Sequence, residues 1–334
     1  MLTYVLRRLL IAVPMLLGAM SIIFFAMRIL PGDPCVAMMG DQATTEALAD
    51  CTKNLGLNRP LAVQYADYMW RSVQFDFGNS LRQGYPVSEY IGKMFPHTLI
   101  LVMASAIVAA LVGIPIGIIS ALKRRNPLID YPLRIFALLG LSMPVFWLGI
   151  LLLIVFSLRF DIFPLIGGGD LDGAIAMIRS GEVFKYPGDF LAAVGDVLHH
   201  LALPALALGF TLAATVSRLS RSAMLEVIGQ DFIRTARSKG LSESRVVGKH
   251  ALKLGILPVV SYLGPATARV IMGSIVVETI FAVPGLGRHL VNAAFNRDYT
   301  MVLGVVLFYA TFLMLLNLVV DVAYTWLDPR VELK

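Results

Sequence analysis

Few residues in this chain have the makings of a chemical site. Cys35 and Cys51 are its only cysteines, and both fall in one polar segment between apolar runs. Outside a membrane such a pair meets an oxidising compartment, where a disulfide closing this short loop would add about 3 kcal/mol. The alternative is two reduced thiols packed separately, with Cys51 on the apolar face of its helix. His199 and His200 are adjacent, but helical neighbours diverge by about 100°. No third ligand is evident, so no metal site is assigned. Glu278 and Asp321 lie in apolar stretches, where ionisable groups are suspected of function. Each also reads as a structural partner for a neighbouring helix end. Asn317 and Asp321 are four apart and can share a polar face, whereas Arg269 and Glu278, nine apart, fall on opposite faces. The five histidines are scattered and no nucleophile–base–metal constellation forms. Gly92-Lys93 and Gly248-Lys249 lack the flanking residues of a phosphate loop. The chain is therefore read as no enzyme, with no cofactor, and any nucleotide hydrolysis falls to other subunits.

The densest chemistry is basic. From Glu226 to Pro258 the chain carries Arg234, Arg237, Lys239, Arg245, Lys249 and Lys253. The period is helical, with Phe232, Ile233 and Ala236 on one side and the two arginines on another. Asp231 can cap the first turn, Gly240 stands where a left-handed stop belongs, and Ser242 restarts a short second helix. An elbow this basic cannot cross a bilayer and must lie on its surface. It is either an interfacial hairpin joining two spans or a docking knuckle that a soluble partner moves.

The surrounding elements are those of a membrane protein. Residues are 57% hydrophobic and only 15% charged, where a soluble domain averages about 25% charged. The net charge of +6 reflects which loops face inward and is not a nucleic-acid signal. Six spans are expected, at about Leu9–Leu30, Thr98–Leu122, Ile129–Leu158 (interrupted at Pro144), Leu201–Val216, Gly255–Phe281 and Met301–Leu327. Arg28 is expected to snorkel from the far end of the first. Residues 31–95 read as an external helical subdomain, opened by a PGDP turn at Pro31–Pro34 and holding helices after Thr44 and Pro60. Residues 159–199 read as a second exterior loop. The domain plan is thus a first span over 1–30, the subdomain over 31–95, and a core over 96–334 that includes the elbow. Of 28 lysines and arginines, sixteen fall in the short regions assigned inside and eleven in the longer outside regions. That asymmetry places both termini in the cytoplasm.

Taken together, PGDP after the first span, QFDFGNS after an external helix, RSAMLEVIGQDFIRTARSKGL, ETIFAVPGLGR and NLVVDVAYTWLDPR resemble the peptide permease subunits of bacterial ABC importers. The resemblance is to the B-type permeases of dipeptide and oligopeptide systems, a group that includes nickel and glutathione permeases. It implies an all-α polytopic fold of the binding-protein-dependent importer type in the bacterial inner membrane, surrounded by lipid. It also implies three kinds of protein partner: a second permease subunit forming a heterodimer, two cytoplasmic ABC ATPases and an extracytoplasmic substrate-binding protein. The elbow, residues 226–253, corresponds to the coupling segment, with Asp231, Arg234, Thr235, Ala236, Arg237, Gly240 and Leu241 facing or supporting the ATPase contact. Only Ala236, Gly240 and Leu252 keep the general coupling pattern, and the departures are like those of peptide permeases. Nickel and glutathione stand as alternative cargoes. A stand-alone secondary transporter would need a mid-membrane ion site and inverted repeats, and neither is seen.

Overall fold

Inside a bilayer the backbone has no water to bond, so a chain this apolar must satisfy its amides within helices. The computed structural model describes residues 2–29, 33–39 and 44–327, and these are almost wholly helical. Pro31 and Gly32 of the PGDP turn, and the end of the LDPR motif, lie outside the described residues. In chain order the α-helices are α1 (Leu2–Ile29), α2 (Pro34–Met39), α3 (Thr45–Asn54), α4 (Leu61–Val73) and α5 (Val87–Leu122). Then come α6 (Pro127–Ser142), α7 (Val145–Leu152), α8 (Leu171–Ser180), α9 (Pro187–Ile228) and α10 (Asp231–Ser238). The last are α11 (Glu243–Arg245), α12 (Leu252–Gly255), α13 (Leu257–Ile280), α14 (Leu286–Phe295) and α15 (Tyr299–Leu327). Among the described residues, α1, α5, α9, α13 and α15 contain stretches long and apolar enough to cross a membrane.

The third expected span, Ile129–Leu158, is not one rod. Pro144 cannot donate to a helix ladder, and residues 127–142 and 145–159 meet there at 110°. Two spans are also far longer than their apolar windows. α5 starts at Val87, inside the segment read as external subdomain. α9 has 42 residues where Leu201–Val216 was expected, about 63 Å at 1.5 Å per residue, so it begins in the presumed exterior loop and reaches the elbow. That loop also holds α8, capped by Asp170, whose Oδ1 accepts from Gly173 N at 3.0 Å.

The chain divides into two units, Met1–Pro96 with Gly285–Lys334, and His97–Pro284. In the first, α1 packs on α15 and α4 packs on α1. Arg8 and Asp321 form an ion pair of 3.1 Å between α1 and α15. At the end of α1 Arg28 donates to Gln64 Oε1 of α4, with Nη2 at 2.7 Å. Thr44 caps α3, accepting from Ala47 N at 3.3 Å. Cys35 and Cys51 are joined in a disulfide, Cα–Cα 5.9 Å. Asp298 is buried and ties the QFDFGNS loop to α15, accepting from Leu81 N and Met301 N, both at 3.1 Å, and from the Ser80 hydroxyl.

The second unit is built around α9. Its apolar window is 61% buried, against 22–33% for the other spans. α6, α7, α8 and α13 pack on it, and α5 approaches closest through Gly113 and Gly117. A Cβ on Gly117 would stand 2.4 Å from Ser217 O, so these two glycines, four apart, are the seat of a helix–helix contact. Leu203, Ala207, Leu208, Val277 and Phe281 belong to one buried apolar core.

Candidate coupling site

The basic elbow hangs from the end of α9 and is bolted to it by apolar side chains. In α10 Ile233 and Ala236 are buried among Ala121 of α5, Met224 and Val227 of α9, and Val246 and Ala251 beyond the turn; Leu241 packs on the same cluster. Of the residues expected to take part, Ala236 and Leu241 therefore mount the elbow, while Asp231, Arg234, Thr235 and Arg237 are exposed. Two local expectations are corrected. Gln230 occupies the cap position and Asp231 the first helical turn, with no side-chain cap bond. Instead Asp231 pairs with Arg234 at 3.6 Å. Phe232 faces away from the buried cluster and is 37% exposed, because Ile233 already fills the inward position one residue on. The outward face of α10 thus presents Asp231, Phe232, Arg234, Thr235 and Lys239 together.

Gly240 turns the elbow at φ +74°, in the left-handed region. Ser242 then stands before α11 with extended backbone, φ −62° and ψ 145°. Across this turn runs a clamp that periodicity did not suggest: Arg237 Nη2 donates to Glu243 Oε1 at 2.6 Å and Nε to Oε2 at 3.1 Å. The hydrogen bond from Arg237 holds the Glu243 carboxyl below its ordinary range, and the same bond raises the guanidinium. A cavity of about 630 Å³ adjoins the clamp, lined by Lys123, Arg124, Arg125 and Asn126 of the α5–α6 turn together with Arg237 and Glu243.

A buried polar knot sits where α5, α6 and α9 converge above the elbow. Ser120 donates to Asp130 Oδ1 at 2.5 Å, and Arg221 Nη2 to Asp130 Oδ2 at 3.0 Å. Arg221 Nε closes the triangle on Ser120 Oγ at 2.9 Å. Arg134 is more distant, at 3.9 Å from Asp130. Two of these residues come from loop-flanking turns and one from α9, so only the folded contact unites them. A polar residue at each of three apolar helix ends was the available signal.

The remaining candidates do not join the elbow. Glu278 is fully buried in α13 and accepts from Ser274 Oγ at 2.9 Å. Arg269 is exposed on α13, its guanidinium 5.4 Å from the Tyr262 ring centre. Asn317 is exposed on α15, one turn from the paired Asp321. His199 and His200 bond the carbonyls of Ile162 and Asp196, each at 2.9 Å.

Long apolar helices, with a basic elbow fastened by apolar contacts to the ends of α5 and α9, have the make-up of a membrane-spanning subunit. The fold agrees with solved importers at low identity. It matches the MetNI methionine ABC transporter in an inward-facing form with TM-score 0.54, 15% identity, and coverage of 72% of this chain and 96% of that one. An amino acid ABC transporter solved with histidines matches with TM-score 0.51, 13% identity, and coverage of 71% and 94%.

The family is shown by sequence. Residues 113–333 match the binding-protein-dependent transport system inner membrane component, and residues 1–102 match the N-terminal region of the same membrane components. The chain belongs to this family, as its membrane-embedded permease component. It is 39% identical over 333 residues to the oligopeptide transport system permease protein AppB of Bacillus subtilis, covering 99% of this chain and all of that one. It is 38% identical over 345 residues to the dipeptide transport system permease protein DppB of Escherichia coli K12, with both chains fully covered.

Proposed function

We propose that this chain is one of two permease subunits of an ATP-driven importer of di- or oligopeptides, with both termini in the cytoplasm. Its partners are a second permease, two cytoplasmic ATPases on the elbow side, and an extracytoplasmic binding protein on the other. The observation that carries this reading is the mounting of the elbow. Ile233, Ala236 and Leu241 fasten it to the ends of α5 and α9, while a mixed charged and aromatic face is left outward. A hairpin that merely joined two spans would need neither.

The mechanism follows from rigidity. ATP binding draws the ATPases together and displaces the elbow seated on one of them. The clamp across Gly240 keeps α10 and α11 from folding independently. The displacement passes into α9, which runs unbroken to Pro187, and from it into the α6, α7 and α13 helices packed around it. The lining of a passage half enclosed by this chain is thereby rearranged without any covalent step in the permease. Peptide selectivity rests largely with the binding protein.

The test is purification from the native host in mild detergent, followed by reconstitution. Stoichiometric ATPase subunits and ATP-dependent uptake of labelled dipeptide are expected. A chain that purifies alone and moves solute without ATP would overturn the proposal.

A further inference from the structure

Helix α4 is amphipathic in the reverse sense for a segment surrounded by water. At 100° per residue, Ala62, Val63, Ala66, Trp70 and Val73 fall within one third of its circumference. All five face outward, with Trp70 69% and Val73 64% exposed. The opposite side turns polar groups inward. Gln64 accepts from Arg28 at 2.7 Å and donates to Arg59 O at 2.8 Å. Ser72 is buried, and the Tyr65 hydroxyl lies 2.7 Å from Ser21 Oγ on α1.

Those contacts give α4 a depth. Ser21, Phe24 and Arg28 belong to the apolar stretch Leu10–Ile29 of α1. Ser21 lies about 12 Å along the helix from Ile29, at 1.5 Å per residue. The Phe24 ring packs against both Tyr65 and Tyr68, at 5.4 and 5.5 Å between centroids. Partners of α4 thus sit within the length of α1 that crosses hydrocarbon. α1 itself carries bare apolar positions over the same length, with Ile22 and Ile29 uncovered.

We infer that α4 is sunk in the membrane leaflet at the C-terminal end of α1, with Val63, Ala66, Trp70 and Val73 against lipid acyl chains. The leaflet is the outer one if the orientation proposed above holds; the contact itself does not depend on that reading. The outward stripe is uncharged, while the ion-paired Asp67 and the exposed Arg71 lie beside it, which suits a helix at the interface and not one in the hydrocarbon centre; such a helix is held by its buried apolar area. The segment after the first span is then partly a membrane anchor bracing α1, while α3, stapled to α2 by the disulfide, carries its polar part.

The test compares the purified protein, with whatever subunits accompany it, and its Trp70→Phe variant in nanodiscs of phosphatidylcholine brominated on the acyl chains. The difference in fluorescence isolates Trp70 from every other tryptophan, and the substitution is mild enough to keep the fold. Brominated chains are expected to quench the Trp70 component at least about twofold, and aqueous iodide to leave it nearly unchanged. Quenching by iodide instead would place the stripe in water. Protection from both quenchers would place it against another protein, such as the second permease. Either result overturns the inference. The measurement uses neither ATP nor peptide and bromine is present in both leaflets, so failure of the importer reading or of the orientation would leave its outcome unaffected.

Discussion

Gly240 has a left-handed backbone and open space where a side chain would stand, so any cost of substitution there is conformational and not steric. Alanine should cost about 1 kcal/mol, asparagine less, and β-branched valine the most. The expected result is that Gly240→Val hydrolyses ATP with little uptake, measured as ATP consumed per peptide, while Gly240→Asn stays near wild type. A valine variant with normal stoichiometry would refute the lever. The neighbouring Arg237–Glu243 clamp has a pH signature. Because the folded carboxyl titrates below its ordinary value, the clamp is complete above that ordinary value and fades as pH falls through the lowered one. Protection of amides 237–243 from hydrogen exchange should be constant from neutral to alkaline pH and fall only below about pH 4. The pair is solvent-exposed, so Glu243→Gln should lower protection at neutral pH by about fivefold at most, or under 1 kcal/mol.

At the scale of the elements, the Ser120–Asp130–Arg221 knot decides whether α5, α6 and α9 move as one body. Removing one partner of a buried ion pair strands the other charge, at about 3–5 kcal/mol, whereas removing both is often close to neutral. Asp130→Asn and Arg221→Met should each lower the thermal midpoint and uptake of the reconstituted complex. The double variant should recover much of the stability, with a coupling of about 1–3 kcal/mol. Additive losses would mean that the two residues act separately. Sequence reading reached only part of this architecture, for physical reasons. Signals confined to a few residues were legible: the Thr44 cap, the Pro144 break and the left-handed Gly240. Apolar windows located the spans but not their ends, because α5 and α9 continue as helices beyond the hydrocarbon-like stretch. The knot was illegible because Arg221 stands 91 residues from Asp130 and 101 from Ser120, and nothing local marks it as their partner. Phe232 was misplaced because adjacent apolar residues compete for one inward position, and only packing selects between them.

At the scale of the molecule, everything proposed for the elbow depends on which side of the membrane it occupies. The charge asymmetry, a continuous α9 and the bent α6–α7 pair counted as one crossing all lead to an even number of spans, with the elbow on the side of both termini. The elbow's outward positions are suited to testing this, because Thr235 and Lys239 are exposed and remote from the buried cluster. The native disulfide occupies both existing cysteines, so a single Thr235→Cys or Lys239→Cys would be the only free thiol in the chain. Inside-out vesicles should label these positions with a membrane-impermeant maleimide, and right-side-out vesicles should not. Binding of the cognate ATPases should then protect Thr235→Cys, on the outward face, while a cysteine at Gln83, in the first unit, stays unaffected by them and labels from the opposite side. Labelling of both positions from one side would remove the separation between a motor surface and a solute-receiving surface, on which directional transport by this chain depends.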